Sequence, residues 1–299
     1  MNILSPDRRA GADRLALPEL PFAAADDARL GRLAIRGLYR EVALAPKPGL
    51  VTPDGNGSHA DMDFRTFLRS LNALRGYFPA IAACGRQRPD FAALQDLGIA
   101  AETAMLAATG GINTHRGAIF NLGLLCAGAG RLLADGAVPA AAAVCATVRA
   151  AWGGEILASG GAATGAASHG LAVARRYGSG GARLEAASGF PAATEVGLPA
   201  YRAALAATGD AELAAVEALF ALIAELEDTN LLWRGGREGL ACARRLAGGF
   251  LAAGGVQVAG WRDHAAAIDR EFVAGRLSPG GSADLLGVTL FLAELDGGA

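Results

Sequence analysis

Apolar residues recur along the chain at three- and four-residue intervals, the spacing that puts them on one face of an α-helix. The pattern predicts helices over residues 27–45, 63–76, 90–108, 114–134, 139–152, 162–177, 195–207, 211–227, 236–253, 261–275 and 282–295. Asp63, Asp90, Thr114, Asp210 and Ser282 stand where capping residues belong, and Pro139 suits a first helical position. Strand-like alternation of β-branched residues is missing, so strands are expected to be few or absent. The predicted class is all-α, a single compact multi-helix domain over residues 26–299, with residues 1–25 as a flexible arm.

Five glycine-rich, polar connections interrupt this Ala/Leu background: residues 46–63, 109–117, 178–191, 227–236 and 277–286. A packed core has no need of them, and loops on a rigid scaffold are where sites are built. On the first helix, at ~100° per residue, Leu30, Leu33, Ala34, Gly37, Leu38 and Leu44 form a stripe with Glu41 near its middle, while Arg29, Arg32, Arg36 and Arg40 lie opposite. A carboxylate on a core face must be paired, metal-bound or neutralised. That leaves two readings, a functional carboxylate or half of a buried ion pair with an internal arginine. Glu102 flanks the stripe of a later helix, Glu227 falls on another, and Asp228 and Asn230 follow it. His59, Asp61 and Asp63 alternate in HADMD; the two carboxylates suit a hard cation such as Mg²⁺, although Asp63 can equally cap the next helix.

In TGGINTHRG two glycines precede Asn113 or Thr114 as a helix cap, with His115 and Arg116 in the first turn, where the helix dipole disfavours cations. An anion at the helix start would account for that placement; the other reading is a plain glycine C-cap followed by an ordinary N-cap, with both side chains in water. LSPGGSADLL repeats the design, with Gly280 and Gly281 in the loop, Ser282 as cap and Asp284 in the first turn, and GSGGAR offers a backbone nest beside Arg183. None is a Walker A or Rossmann fingerprint. Together they suggest a polyphosphate ligand whose magnesium is held by core-facing carboxylates.

Composition narrows the field. With 19% charged and 52% hydrophobic residues the chain is not disordered, and a net charge of −2 offers no basic field for nucleic acid. The apolar run from Gly117 to Gly130 is shorter than the ~20 residues a membrane span needs, and the N-terminus has no apolar signal core, so a cytoplasmic protein is expected. Cys84, Cys126, Cys145 and Cys242 are scattered and read as reduced thiols. Lys47 is the only lysine, every other strong base being arginine.

The segments EVALAPKPGLV, GSHADMDFRTFLRS, LGIAAETAMLAATGGINTHRGAIFNLGLL, GARLEAASGFP, DTNLLWRGG and LSPGGSADLL, in this order, closely resemble those of the triphosphoribosyl-dephospho-CoA synthase family over about residues 30–295. The resemblance implies an all-helical enzyme that joins ATP to 3′-dephospho-CoA and releases adenine. Its product is the prosthetic-group precursor for the acyl-carrier subunit of malonate decarboxylase or citrate lyase, reached through a downstream phosphoribosyl-dephospho-CoA transferase. The family's chemistry suggests one inverting displacement through an oxocarbenium-like centre, needing a base, a donor for adenine and neutralised phosphates. It points to Glu41, Glu102, His59 and His115 as catalytic candidates and to Mg²⁺ on some of Glu41, Asp61, Asp63, Glu102 and Asp228. Lys47, Arg116, Arg183 and Arg234 are the phosphate contacts it suggests, helped by Asn113, Thr114, Asn230, Gly280, Gly281 and Ser282. The family pattern often has lysine where Arg116 stands and keeps lysine at Lys47. Two other readings are a magnesium-dependent nucleotide pyrophosphohydrolase, distinguished by its product, and a nucleotide-binding subunit without turnover. A homodimer is the expected assembly.

Overall fold

A computed structural model describes residues 25–159 and 169–297. The expected N-terminal arm lies almost wholly outside these residues, as does the start of the helix predicted over 162–177. The helices are α1 (Ala25–Ala43), α2 (Phe64–Leu74), α3 (Tyr77–Arg86), α4 (Phe91–Thr109), α5 (Arg116–Ala134), α6 (Ala141–Ala158), α7 (His169–Tyr177), α8 (Gly181–Ala187), α9 (Leu198–Thr208), α10 (Ala211–Glu225), α11 (Thr229–Ala252), α12 (Trp261–Ala274) and α13 (Gly280–Gly297). One π-helical turn, Ala192–Gly197, leads into α9. No strand occurs among the described residues, only an isolated bridge between Thr52 and Gly55.

Helix α5 is the axis of the core, buried along most of its length. It crosses α3 at very short range. A Cβ on Gly85 would collide with the Ala127 carbonyl, and one on Gly130 with the Ala82 carbonyl, so only glycine admits this spacing. Helix α1 lies over α3 with Gly31 against Pro79, and over α13 with Gly37 against the Gly287 carbonyl. The stacked rings of Phe220 and Phe250, centroids 3.9 Å apart, join α10 to α11. Helices α4 and α5 are long and apolar enough to cross a membrane by length and composition. Here α5 fills the core, and α4 turns apolar residues toward the cavity described below.

Several predicted boundaries change. The periodicity gave no helix over α3, because Tyr77, Phe78, Ile81, Ala82 and Gly85 are buried on one face while the outward positions Pro79, Ala80, Ala83 and Cys84 are themselves apolar and leave little polar face to read. The segments at 178–191 and 227–236, expected as loops, supply α8 and the first turns of α11, which breaks at Gly236 with φ +61°. Pro139 precedes the helix, which begins after Ala140. Asp63, Asp90 and Asp210 cap as predicted. Of the two candidates before α5, Asn113 takes the Arg116 N–H at 3.1 Å. Ser282 lies inside the first turn of α13 and is no cap.

Candidate active site

The first wall is the end of α1 and the loop that follows. Glu41 occupies the core face as its spacing predicted, and its partner is Lys47, the lone lysine, with Nζ 2.6 Å from Oε1. Both side chains are buried. The loop that carries Lys47 is pinned from the far side of the molecule. Gly49 donates to Asp269 at 2.8 Å, and Ser58 Oγ donates to the Leu277 carbonyl at 2.6 Å. Gly49 has φ +68°, and a Cβ there would strike that same carbonyl.

The second wall joins two helix starts through one carboxylate. Asp228 is buried and caps α11 by accepting from the N–H groups of Asn230 and Leu231. Its other oxygen accepts from Ser282 N–H at 2.7 Å and Ser282 Oγ at 3.0 Å. Burial pushes its pKa up, and these four donors oppose the rise. Gly281 and Gly280 are small because Asp228 and Asn230 pack against them, within 3.1 and 2.8 Å of where a Cβ would stand. Asp284, one turn on, is half-buried and faces the cavity. Its carboxyl takes the Ala118 N–H and fills the space a Cβ on Gly117 would need. Burial first, then the nearby Glu41 and Asp228, hold its pKa well above the ordinary carboxylate range.

The third wall is α4 and the start of α5. Glu102 accepts from Arg116 Nε at 2.6 Å, a pair left partly open to solvent. His115 is buried, its Nδ1 lies 2.6 Å from Ser70 Oγ, and its Nε2 has no partner among the described residues. Burial, then the Lys47 charge, lowers its pKa to about 3, so the ring is neutral at any physiological pH. Thr114 Oγ1, Asn121 Oδ1 and Ser179 Oγ are also buried without partners and belong to residues on this cavity. At the mouth, Arg234 donates to the Ser58 and Arg276 carbonyls and, at 3.1 Å, to His59 Nδ1. A guanidinium only donates, so Nδ1 is the acceptor and Nε2–H of His59 donates to Ser278 Oγ at 2.9 Å. Burial, then Arg234, lowers the His59 pKa.

These walls enclose one cavity of about 1470 Å³. It gathers Glu41, Lys47, His59, Asp61, Glu102, Asn113, Thr114, His115, Arg116, Arg183, Asn230, Arg234, Gly280 and Gly281 from every glycine-rich motif. Three predicted residues stand outside it. Asp63 is exposed and spent on a capping box with Thr66, while Asp228 and Ser282 sit behind the wall and hold each other.

The predicted magnesium ligands do not come together. Glu41 is held by Lys47, Glu102 by Arg116, Asp63 by Thr66 and Asp228 by four donors. Asp61 is largely exposed, 3.8 Å from His59. Among the described residues no three His, Cys, Asp or Glu side chains form a metal-binding group. The donor set therefore does not fit a magnesium site built by the protein alone. Sequence reading missed Asp284 as a site residue, although it stood one turn from the glycine pair. Ser70 and Asn121 carried no signal, since each sits on a helix face that packing alone reveals.

A deep cavity flanked by several helix starts and lined by arginine, lysine and carboxylate side chains is the candidate active site of an all-helical enzyme. The family model for ATP:dephospho-CoA triphosphoribosyl transferase matches residues 27–299, and the chain belongs to that family. It is 43% identical, over 90% of its length and 91% of the relative's, to a protein of Acinetobacter calcoaceticus named "Probable 2-(5''-triphosphoribosyl)-3'-dephosphocoenzyme-A synthase". The 2-(5''-triphosphoribosyl)-3'-dephosphocoenzyme-A synthases of Klebsiella pneumoniae and Pectobacterium atrosepticum are 40% and 41% identical to it, covering 88% and 85% of this chain and 90% and 85% of their own. No solved structure matches.

Proposed function

We propose that this cavity transfers the triphosphoribosyl group of ATP to the 2′-hydroxyl of 3′-dephospho-CoA and releases adenine. The observation that carries the reading is the convergence of charged residues from all the glycine-rich motifs on one space with both a polar and an apolar side. The hydroxyl oxygen bonds to C1′ of the ATP ribose as the bond to adenine N9 breaks, its electron pair leaving with the purine. Lys47, Arg116, Arg183 and Arg234 neutralise the triphosphate. Asp284 takes the hydroxyl proton, since a carboxylate whose pKa is raised by burial is a stronger base near neutral pH than an exposed one. Ile99, Leu106, Leu184 and Trp233, lining the same space, suit the pantetheine arm. Magnesium enters in this proposal as a counter-ion of the triphosphate, because among the described residues no three carboxylates or other ligating side chains gather into a site of their own.

The product would feed a phosphoribosyl-dephospho-CoA transferase and the acyl carrier of malonate decarboxylase or citrate lyase, in the cytoplasm, with the enzyme as a homodimer. Incubation with ATP, Mg²⁺ and 3′-dephospho-CoA tests the reaction. Adenine should appear in step with loss of dephospho-CoA, and intact CoA should be a poor acceptor. Phosphate or pyrophosphate without adenine would indicate the pyrophosphohydrolase instead.

A further inference from the structure

Ser70 and His115 form a buried pair whose hydrogen positions follow from counting partners. Ser70 is fully buried on α2, and among the described residues its hydroxyl has one neighbour in hydrogen-bond range, His115 Nδ1 at 2.6 Å. If Nδ1 carried the hydrogen, the Ser70 O–H would have no acceptor and His115 Nε2 would be a second unmet group. If Ser70 donates to Nδ1, the hydrogen sits on Nε2, and only that N–H is left without a partner. Buried polar groups are rarely left unpaired, so the second arrangement holds. Lys47 agrees with it: the ammonium is near enough to depress the His115 pKa, yet its recorded bond goes to Glu41, as expected if Nε2 offers no lone pair.

The Nε2–H is thus a fixed donor on a residue lining the cavity, waiting for an acceptor. Its surroundings choose the kind of acceptor. The Phe67 ring stands edge-on at 5.1 Å, and the Met105 sulfur accepts the His115 backbone N–H at 3.3 Å. Such a lining suits a neutral heterocycle better than a phosphate, which the arginines elsewhere on the wall serve. We infer that Ser70 is a positioning residue that locks His115 as a neutral Nε2–H donor, and that this donor binds a ring nitrogen of the adenine being displaced. The inference rests on the triphosphoribosyl-transfer reading. His115 loses no proton in the step. It stabilises the electron pair that the purine receives from the C1′–N9 bond, while Asp284 takes the hydroxyl proton; the released purine takes its proton from water, and the hydroxide left behind is neutralised by the proton Asp284 gives up. A neutral histidine acts as an electrophile in this way in other enzymes.

Nitrogen-15 spectra of the full chain, with His115→Gln to assign the signals, test the tautomer directly. Wild type should show His115 protonated at Nε2 and bare at Nδ1, and Ser70→Ala should redistribute the hydrogen between the two nitrogens. A hydrogen on Nδ1 in wild type, or a tautomer indifferent to Ser70→Ala, overturns the positioning role. Equilibrium binding of free adenine, 3-deazaadenine and 7-deazaadenine tests the acceptor. Wild type should lose about fivefold or more for the analogue that lacks the bonded nitrogen, the size of one net hydrogen bond. His115→Ala should bind all three alike, and His115→Gln should keep part of the discrimination. Discrimination that survives His115→Ala, or a variant that loses tripolyphosphate affinity instead, overturns the purine assignment. Failure of wild type to form adenine would strike the reaction and leave the tautomer result standing.

Discussion

Among the described residues the cavity pairs a carboxylate with a lysine or arginine twice, and burial makes the two pairs different objects. Glu41 and Lys47 are 6% and 2% exposed, whereas Glu102 and Arg116 are 29% and 40% exposed. At the open pair water can solvate whichever ion is left alone, so such pairs are typically worth ~1 kcal/mol or less. At the closed pair neither charge can be removed without stranding the other. The same contrast separates Asp228, saturated by two helix starts, from Asp284, which has one backbone donor and no cation. Charge placed in the dry floor is committed to structure or to chemistry, and charge at the wet rim is negotiable.

The sharpest way to break this contrast is Asp284→Asn. With the proton acceptor removed, kcat should fall by ~100-fold or more, the scale of general-base catalysis. The fold should become more stable at neutral pH. The folded pKa of Asp284 lies above its ordinary 3.8, so the folded state holds the proton longer and stability is lost as pH rises from the unfolded to the folded value. Asparagine removes that loss, and melting curves across this range should show wild type declining more steeply than the variant. Wild-type activity should rise with pH through the same raised value.

Glu41→Gln should come next, unfolding the protein more easily by roughly 3–5 kcal/mol because it strands Lys47, to be read by chemical denaturation. Lys47→Arg keeps the charge but must fit a planar fork into a space shaped for a compact ammonium. We expect about a tenfold loss in kcat/KM for ATP, or about 1.4 kcal/mol. Arg116→Lys at the rim should be the mildest, within about twofold in the same assay and within ~0.5 kcal/mol in stability. A rim variant as costly as Lys47→Arg would erase the distinction between floor and rim.

Local signals were readable where the chain decides matters locally. Asp90 and Asp210 announced their helices because a cap needs only the next three residues. Glu41 was legible as an anomaly, an acid on an apolar stripe, but its partner was not, since Lys47 reaches it by way of a loop fixed to Asp269. Asp63, Asp228 and Asp284 look alike as acids, each within one of the glycine-rich connecting segments. Packing made the first a surface cap, the second a buried clamp and the third a cavity wall. Helices α3 and α8 were lost for the opposite reason. One carries small apolar residues on its outward face and the other is only 7 residues long, so neither shows a clean amphipathic repeat.

The glycine crossing of α3 and α5 has a mechanical consequence. With Gly85 on Ala127 and Gly130 on Ala82, backbone rests on backbone, and no side-chain layer is left to act as a cushion. Helix α5 is then a fixed rail, and its first turn delivers Arg116 and the Ala118 N–H, with His115 just ahead of it, at set coordinates. The cavity cannot adapt to a ligand by sliding this helix. The 44–63 loop and the 275–279 connection, which Ser58 and Arg234 stitch together at the mouth, close the same cavity from the other side.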